Sequence, residues 1–183
     1  ARTTNWQHDL PLVPGRASFF TVLVEGKNGL PANYSQSELC IGPGGSIIVQ
    51  AEDAAGAPAP LRQYSGSSGR GYVLLERGVR LRFAVTVPRA GRYLVRFRYG
   101  NGNGPLNTDN KCAIRSLRVD GRDAATVVMP QRGFWSNWGY SSTFVTVLTP
   151  GRHELELFQD AGDANMNGTV NTATLDRLEL IPL

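Results

Sequence analysis

Short apolar runs bounded by glycine, proline, asparagine or aspartate constrain this chain more than any other feature. They include ASFFTVLVEG, GSIIVQAED, VRLRFAVTV, GRYLVRFRYG, AIRSLRVDG, STFVTVLT, GRHELELFQ and TLDRLELIPL. Alternating apolar and polar residues over such lengths predict half-buried strands. No window sustains the apolar spacing and the capping residues of an amphipathic helix. The chain is therefore predicted to be all-β, as an antiparallel sandwich or jelly roll.

The turns and loops between these runs divide the chain unevenly. The Asp-Gly pair in RVDGRD predicts a tight hairpin between two strands. Residues 99–112 and 159–174 are long polar segments, and loops of this length in a compact domain are usually functional. Residues 1–45 differ from the rest: they predict an extended arm, one strand over about 17–26 and then a loop. We expect an N-terminal extension over 1–45 and the main domain over 46–183.

The charge of the chain is basic, but the basic residues are scattered. There are 19 Lys and Arg residues against 15 Asp and Glu residues. Arginines recur at every second position in RGVRLRF and RYLVRFRYG, which places them on one face of each strand. Two interpretations stay open, a solvated sheet face or a surface for an anionic partner such as an acidic polysaccharide. No nucleic-acid-binding motif accompanies the charge, and no apolar run is long enough for a membrane span.

The two cysteines and two glycosylation sequons bear on the cellular compartment. Cys40 and Cys112 are too few for a disulfide framework and lack metal-type spacing, but a single bridge would form if the protein is secreted. Asn33 and Asn167 begin Asn-x-Ser/Thr sequons, which are glycosylation acceptors in a eukaryotic secretory route. We expect a secreted, extracellular protein.

No catalytic arrangement is recognisable in the sequence. The chain has two histidines, His8 and His153, and no Gly-x-Ser-x-Gly nucleophile elbow. No spacing pairs two carboxylates in the way that a glycosidase requires. We expect a protein that is not an enzyme, although it could be a non-catalytic module of a larger glycoside hydrolase or lyase.

From Ser46 onward the order of motifs resembles the carbohydrate-binding modules of families 6 and 35. The matching stretches are IIVQAEDA, a Gly-rich segment ending in GRGYV, GRYLVRFRYGNG, VVMPQRGFWSNWG, FVTVLTPGRHELEL and TLDRLEL. The resemblance implies a galactose-binding-like β-sandwich jelly roll of two antiparallel sheets over about residues 46–183. It does not cover the N-terminal extension.

The resemblance also implies a structural calcium ion that ties the first strand of the module to the last. The matching positions are Gln50, Glu52 and Asp176, whose oxygens are the type of ligand that calcium prefers. Gln50 and Glu52 share one strand face. The alternative is that Glu52 and Asp176 pair with neighbouring arginines.

A sugar site is the second implication of the resemblance. Sugars bind to aromatic platforms edged by amide or carboxylate hydrogen-bond partners. The matching aromatic residues are Tyr72 and Trp135, with Trp138 as a reserve platform, and Asn171 is the nearest amide before the closing Leu-Asp strand. The alternative for each aromatic side chain is packing in the core of the sandwich.

Two functions follow from these observations. The first is a lectin-like, non-catalytic module that binds a polysaccharide or glycan and holds a structural calcium ion. The second is an assembly protein of an extracellular filament or surface layer, which would self-associate when the N-terminal arm adds a strand to a neighbouring molecule. A simpler role for residues 17–26 is an edge strand in their own sandwich.

Overall fold

A computed structural model describes residues 12–20, 23–25, 31–34, 38–41, 45–102, 112–164 and 171–183, with backbone only for 23–25, 31–34 and 38–41. In these ranges the regular structure is strand, apart from one 3-10 turn over Ala51–Asp53. The strands are β1 (Ala17–Phe20), β2 (Leu23–Glu25), β3 (Pro31–Tyr34), β4 (Glu38–Ile41), β5 (Ile47–Gln50), β6 (Val73–Leu75), β7 (Arg80–Val87), β8 (Gly91–Gly100), β9 (Cys112–Val119), β10 (Arg122–Pro130), β11 (Gly139–Tyr140), β12 (Phe144–Leu148), β13 (Gly151–Phe158) and β14 (Ala173–Pro182).

Two antiparallel sheets form the sandwich. One sheet has the order β10-β9-β13-β7. In the other sheet, β8 and β14 lie at the centre and pair with each other. Strands β11 and β12 pair with the remaining edge of β8, and β5 and β6 pair with the remaining edge of β14. The predicted β-sandwich jelly roll of two antiparallel sheets is confirmed. No helix in the described ranges is long and apolar enough to cross a membrane.

The core lies between the facing sides of the two sheets. Strand β7 shows the predicted alternation, because Leu81, Phe83, Val85 and Val87 are buried and the residues between them are exposed. Strands β8 and β14 are instead buried on both sides. Their second side therefore lies beneath other parts of the chain.

The predicted Asp-Gly hairpin joins β9 and β10. Asp120 and Gly121 both have positive φ, at 51° and 76°, which is typical of a two-residue turn that matches the twist of its strands. Val119 pairs directly with Arg122 across the turn. The sequence motif therefore fixes the register of this edge of the sandwich.

A β-bulge interrupts the pairing of β14 with β8 at Asp176. The register passes from Leu175 opposite Tyr99 to Arg177 opposite Arg98, so Asp176 has no direct partner. A bulge redirects the side chains that follow it and is frequent near functional sites. Leu175 and Leu178 both reach the core on either side of the bulge.

The N-terminal extension differs from the prediction. The described parts of the expected strand over 17–26 are strand, as β1 and β2, and the expected loop that follows contains β3 and β4. Strand β1 pairs with β4, and β2 pairs with β3, in two separate two-stranded sheets. In the described residues none of the four pairs with a sandwich strand, so these residues do not show the expected edge-strand role.

Candidate functional site

A cavity of about 310 Å³ opens at one end of the sandwich, near the lower end of the volumes typical of small-molecule sites. Its lining is largely apolar and aromatic, with a few neutral polar side chains. The lining residues are Leu61, Gln63, Tyr64, Tyr72, Leu74, Trp135, Thr172 and Thr174. None of these residues carries a charge at neutral pH.

Three aromatic side chains stack along the cavity wall. The Tyr64 ring stacks on Trp135 with 5.9 Å between ring centroids and 11° between planes. It also stacks on Tyr72, at 5.7 Å and 18°. A sugar ring does not fit between Tyr64 and Trp135, because carbon contacts of about 3.5–4 Å on each face need more than 7 Å. A bound sugar therefore lies beside this stack rather than inside it.

Tyr72 is buried behind the Tyr64 ring and is not the open platform that the sequence predicts. Its side chain is 1% exposed, because Tyr64 stacks on it and the Trp138 ring packs 5.6 Å away. Burial raises the pKa of the Tyr72 hydroxyl above its usual range. That hydroxyl has no hydrogen-bond partner among the described residues, although Tyr72 lines the cavity.

Trp135 lines the cavity as predicted, but Trp138 does not. The indole Nε1 of Trp138 donates a 2.8 Å hydrogen bond to the carbonyl oxygen of Ser65. The Arg98 guanidinium lies 5.4 Å from the centroid of the same ring. Trp138 therefore holds the segment next to Tyr64, and its predicted role as a reserve sugar platform is not supported.

The amide of Asn171 makes three hydrogen bonds inside the protein and does not line the cavity. Its Oδ1 accepts hydrogen bonds from the Ile114 backbone at 2.7 Å and from Arg115 at 2.8 Å, and its Nδ2 donates to the Asp163 carbonyl. The structure therefore does not place Asn171 where the predicted sugar contact requires it. The physical reason is Arg115, a fully buried guanidinium whose pKa burial lowers to about 10 and which needs these acceptors.

The sequence missed several residues of the cavity. Gln63 and Thr172 supply polar groups, and Tyr64 supplies the ring that stacks on Trp135. The signal that could have identified Tyr64 is its place at the start of YSGSSGRG, where an aromatic residue precedes a flexible Gly-Ser segment. The hydroxyl of Thr174, another lining residue, donates a 3.0 Å hydrogen bond to the Gly100 carbonyl at the end of β8.

The three predicted calcium ligands converge on one segment. Gln50 Oε1 accepts a 2.8 Å hydrogen bond from the Ser68 hydroxyl, and Asp176 accepts from the Ser68 hydroxyl and backbone amide. Glu52 Oε1 accepts from the Arg70 amide at 2.6 Å. We refer to Gln50, Glu52 and Asp176 as the oxygen cluster.

One feature of the oxygen cluster favours a cation and two oppose it. Glu52 Oε2 is buried and has no partner among the described residues. Asp176, however, already pairs with Arg98 at 2.7 Å and with Arg177 at 3.0 Å, as the alternative interpretation predicts. Among the described residues no group of three or more His, Cys, Asp or Glu side chains could hold a metal. The cluster, with two carboxylates and one amide, fits a cation through the unpartnered oxygen of Glu52.

Next to the cluster, an ion-pair network lies on the outer side of β8 and β14. Arg96 pairs with Glu179 at 2.7 Å and stacks 3.5 Å from the Tyr140 ring centroid. Arg177 also pairs with Glu179, at 2.8 Å. Burial alone would raise the pKa of Glu179, but hydrogen bonds and charge from Arg96 and Arg177 hold it below the usual range.

The remaining predicted sites lie largely outside the described part of the chain. Cys112 Sγ lies 3.5 Å from the Ala113 carbonyl oxygen, and no described cysteine side chain is bonded to it. The side chains of Cys40 and Asn33 and the whole of Asn167 are outside the described residues. The disulfide and both glycosylation sites therefore stay predictions.

Comparison with known proteins adds distant sequence relatives. No protein-family model matches the chain. It is 32% identical over 114 residues to a cycloisomaltooligosaccharide glucanotransferase of Niallia circulans. This alignment covers 61% of this chain and 11% of that protein. The chain spans about a tenth of the length of the curated relatives it matches.

Solved structures share the sandwich. One is a cycloisomaltooligosaccharide glucanotransferase of Paenibacillus sp. complexed with cycloisomaltoheptaose, with a TM-score of 0.61, 30% identity, and coverage of 72% of this chain and 18% of that chain. Another is a family 35 carbohydrate-binding module from Clostridium thermocellum, with a TM-score of 0.59, 24% identity, and coverage of 75% and 98%. The chain thus has the fold of a family 35 carbohydrate-binding module, and the predicted resemblance is confirmed.

Proposed function

We propose that this chain is a non-catalytic carbohydrate-binding module that holds a glycan in the cavity beside Tyr64 and Trp135. The observation that carries this proposal is the stacked aromatic pair in an uncharged cavity, within the fold of family 35 modules. Aromatic walls supply apolar contact area for the C–H faces of a sugar, and a few polar groups orient its hydroxyls. Gln63 and Thr172 supply polar side chains in the cavity lining.

The proposed ligand is a neutral glycan rather than an acidic polysaccharide. Among the described residues, no cationic side chain lines the cavity to pair with a uronate. Arg62, which stands between two lining residues, donates to the Arg70 carbonyl at 2.6 Å, and Arg98 pairs with Asp176. The similar Paenibacillus enzyme is described as complexed with cycloisomaltoheptaose, a neutral glucose oligosaccharide, which makes this sugar the first probe to use.

We propose further that the chain acts as an accessory part of a larger, extracellular carbohydrate-active enzyme. Its similarity to about a tenth of a glucanotransferase supports this arrangement, because the catalytic chemistry would then lie in other parts of the polypeptide. In that arrangement the module increases the local concentration of the enzyme on its polymer.

Calorimetric titration with cycloisomaltoheptaose, with dextran and with polygalacturonate tests the proposed binding. Replacing Trp135 with Ala removes one ring of the stack and should weaken binding of the neutral sugars by about 2 kcal/mol. Phe134→Ala is the matched control, because this neighbouring side chain is 60% exposed and does not line the cavity. Equal affinities of the two variants, or binding of polygalacturonate alone, would contradict the proposed site.

We propose that Gln50, Glu52 and Asp176 bind a structural calcium ion. The buried, unpartnered Glu52 Oε2 supports this, because calcium supplies the positive partner that this oxygen lacks. Thermal unfolding in calcium, in magnesium and in EDTA tests it. A calcium-specific rise in Tm that Glu52→Ala abolishes is expected, since a ligand of the native state stabilises it. The same Tm in all three buffers would exclude the ion.

Assembly through the N-terminal extension is a second candidate function. The observation that favours it is the pairing of β1 with β4 outside the two sandwich sheets, with Phe19 59% exposed on β1. Strand pairs of this kind have backbone edges to which a neighbouring chain can add. Light scattering tests it: wild type should form oligomers that Phe19→Asp disperses, and a monomeric wild type would reject this function.

A further inference from the structure

A single loop connects the carbohydrate cavity to the oxygen cluster. Leu61 and Tyr72 close this loop at its base by reciprocal backbone hydrogen bonds of 2.8 and 3.0 Å. We call residues 61–72 the glycine loop, since Gly66, Gly69 and Gly71 all adopt positive φ. Such closed loops pack against their surroundings through their own side chains.

The two halves of the glycine loop have different partners. The first half lines the cavity with Leu61, Gln63 and Tyr64. The second half reaches the oxygen cluster, where Ser68 donates to Gln50 and Asp176 and the Arg70 amide donates to Glu52. The position of Tyr64 therefore depends on how the second half of the loop is held.

The tip of the loop contains no apolar side chain that could hold it. Residues 65–70 are serines, glycines and one arginine, so hydrogen bonds to buried acceptors provide the attachment. Gly69, with φ of +61°, lies against the side chains of Gln50 and Glu52, and a Cβ at this position would collide with the Glu52 carboxylate. Two further contacts hold the middle of the loop, from Trp138 to the Ser65 carbonyl and from Arg98 to the Gly66 carbonyl.

From this geometry we infer that Glu52 and Asp176 are positioning residues for the carbohydrate site. They hold the glycine loop in the one conformation in which Tyr64 stacks on Trp135, although neither carboxylate lines the cavity. This inference rests on the proposed function of the cavity. It predicts that a change at the oxygen cluster alters sugar affinity without touching a sugar-binding side chain.

Gly69→Ala is the sharpest test, because the added methyl group displaces the tip of the loop and leaves every cavity side chain chemically unchanged. Gly78→Ala is the matched control: Gly78 also has positive φ, at +89°, but a Cβ there meets nothing within 4 Å. The two variants share a similar backbone penalty and differ in the collision with Glu52. Ser68→Ala, which removes the hydroxyl bonds to Gln50 and Asp176, is a milder second variant if Gly69→Ala does not fold.

Two measurements compare the variants. Near-ultraviolet circular dichroism reports the packing of the Tyr64 and Trp135 rings without any ligand, and calorimetry with cycloisomaltoheptaose reports affinity. We expect Gly69→Ala to change the aromatic signal and weaken binding about tenfold, because the loop must be ordered again on binding. We expect Gly78→Ala to do neither.

The outcomes separate this inference from the proposed function. If Gly69→Ala binds as tightly as Gly78→Ala and keeps the wild-type aromatic signal, the positioning role is wrong. If wild type itself does not bind the sugar, the proposed function loses its support. The aromatic signal then still decides whether the oxygen cluster holds Tyr64 in position.

Discussion

Two rows of arginines have the same spacing in the sequence and opposite environments in the fold. On β7, the side chains of Arg80 and Arg82 are 41% and 51% exposed and pair with Glu156. On β8, the side chains of Arg96 and Arg98 are 10% and 20% exposed and pair with Glu179 and Asp176. The solvated-face interpretation therefore holds for the first row and fails for the second.

The difference comes from position in the sheet and from what covers it. Strand β7 is at the edge of the four-stranded sheet, whereas β8 is central in the six-stranded sheet. The outer side of β8 is covered by Tyr140, which stacks on Arg96, and by the glycine loop, whose Gly66 carbonyl accepts from Arg98. Alternation in a sequence predicts which residues share a face, but not whether another segment covers that face.

Removing the carboxylate that pairs with the covered arginine row on β8 should have the largest effect on stability. Glu179→Ala leaves Arg96 buried without its ion-pair partner and should lower the free energy of unfolding by about 3–5 kcal/mol. Urea denaturation measures this as a lower midpoint at unchanged slope. The double variant Arg96→Met, Glu179→Leu should recover much of the loss. A loss below about 1 kcal/mol for Glu179→Ala would mean that the covered row behaves like the exposed one.

Protonation of the same carboxylate should have a smaller effect, because a neutral Glu179 keeps part of its hydrogen bonding. Its pKa is depressed in the folded state, so its contribution is complete above the ordinary glutamate pKa of about 4.3. That contribution is lost as the pH falls through the lower folded pKa. Urea midpoints between about pH 7 and pH 3 should fall less steeply in Glu179→Gln than in wild type. Parallel curves would show that Glu179 does not titrate in this window.

The smallest effect is expected on the exposed row. Glu156→Ala removes the shared partner of Arg80 and Arg82, yet it should cost no more than about 1 kcal/mol, because both guanidinium groups stay solvated. This loss should shrink further in about 1 M salt, where exposed ion pairs are screened. A loss as large as that of Glu179→Ala would overturn the distinction between the two rows.

Local patterns in the sequence predicted the sandwich because strands and tight turns depend on nearby residues. The Asp120-Gly121 hairpin and the alternation of β7 are examples. The N-terminal strands were harder to predict, because β3 begins with Pro31 and contains Asn33, two residues that disfavour strands. Their partners, β2 and β4, supply the pairing that intrinsic preference does not.

The site was predicted less well than the fold, because contacts between loops decide it. Gln50 and Asp176 come together because strand pairing brings β5 beside β14, and Glu52 follows in the 3-10 turn after β5. Tyr72 and Asn171 did not keep their implied roles. Tyr64 covers Tyr72, and the buried Arg115, whose inward direction follows from its register in β9, binds the Asn171 amide.

The backbone pairing of Leu61 with Tyr72 has a consequence for engineering and divergence of specificity. Because the two ends of the glycine loop meet, the residues between them form a cassette that could be exchanged without lengthening or shifting any sandwich strand. A replacement that keeps serine and glycine at positions 68 and 69 retains the attachment to the oxygen cluster. Positions 63 and 64 are then the natural places to alter which sugar the module selects.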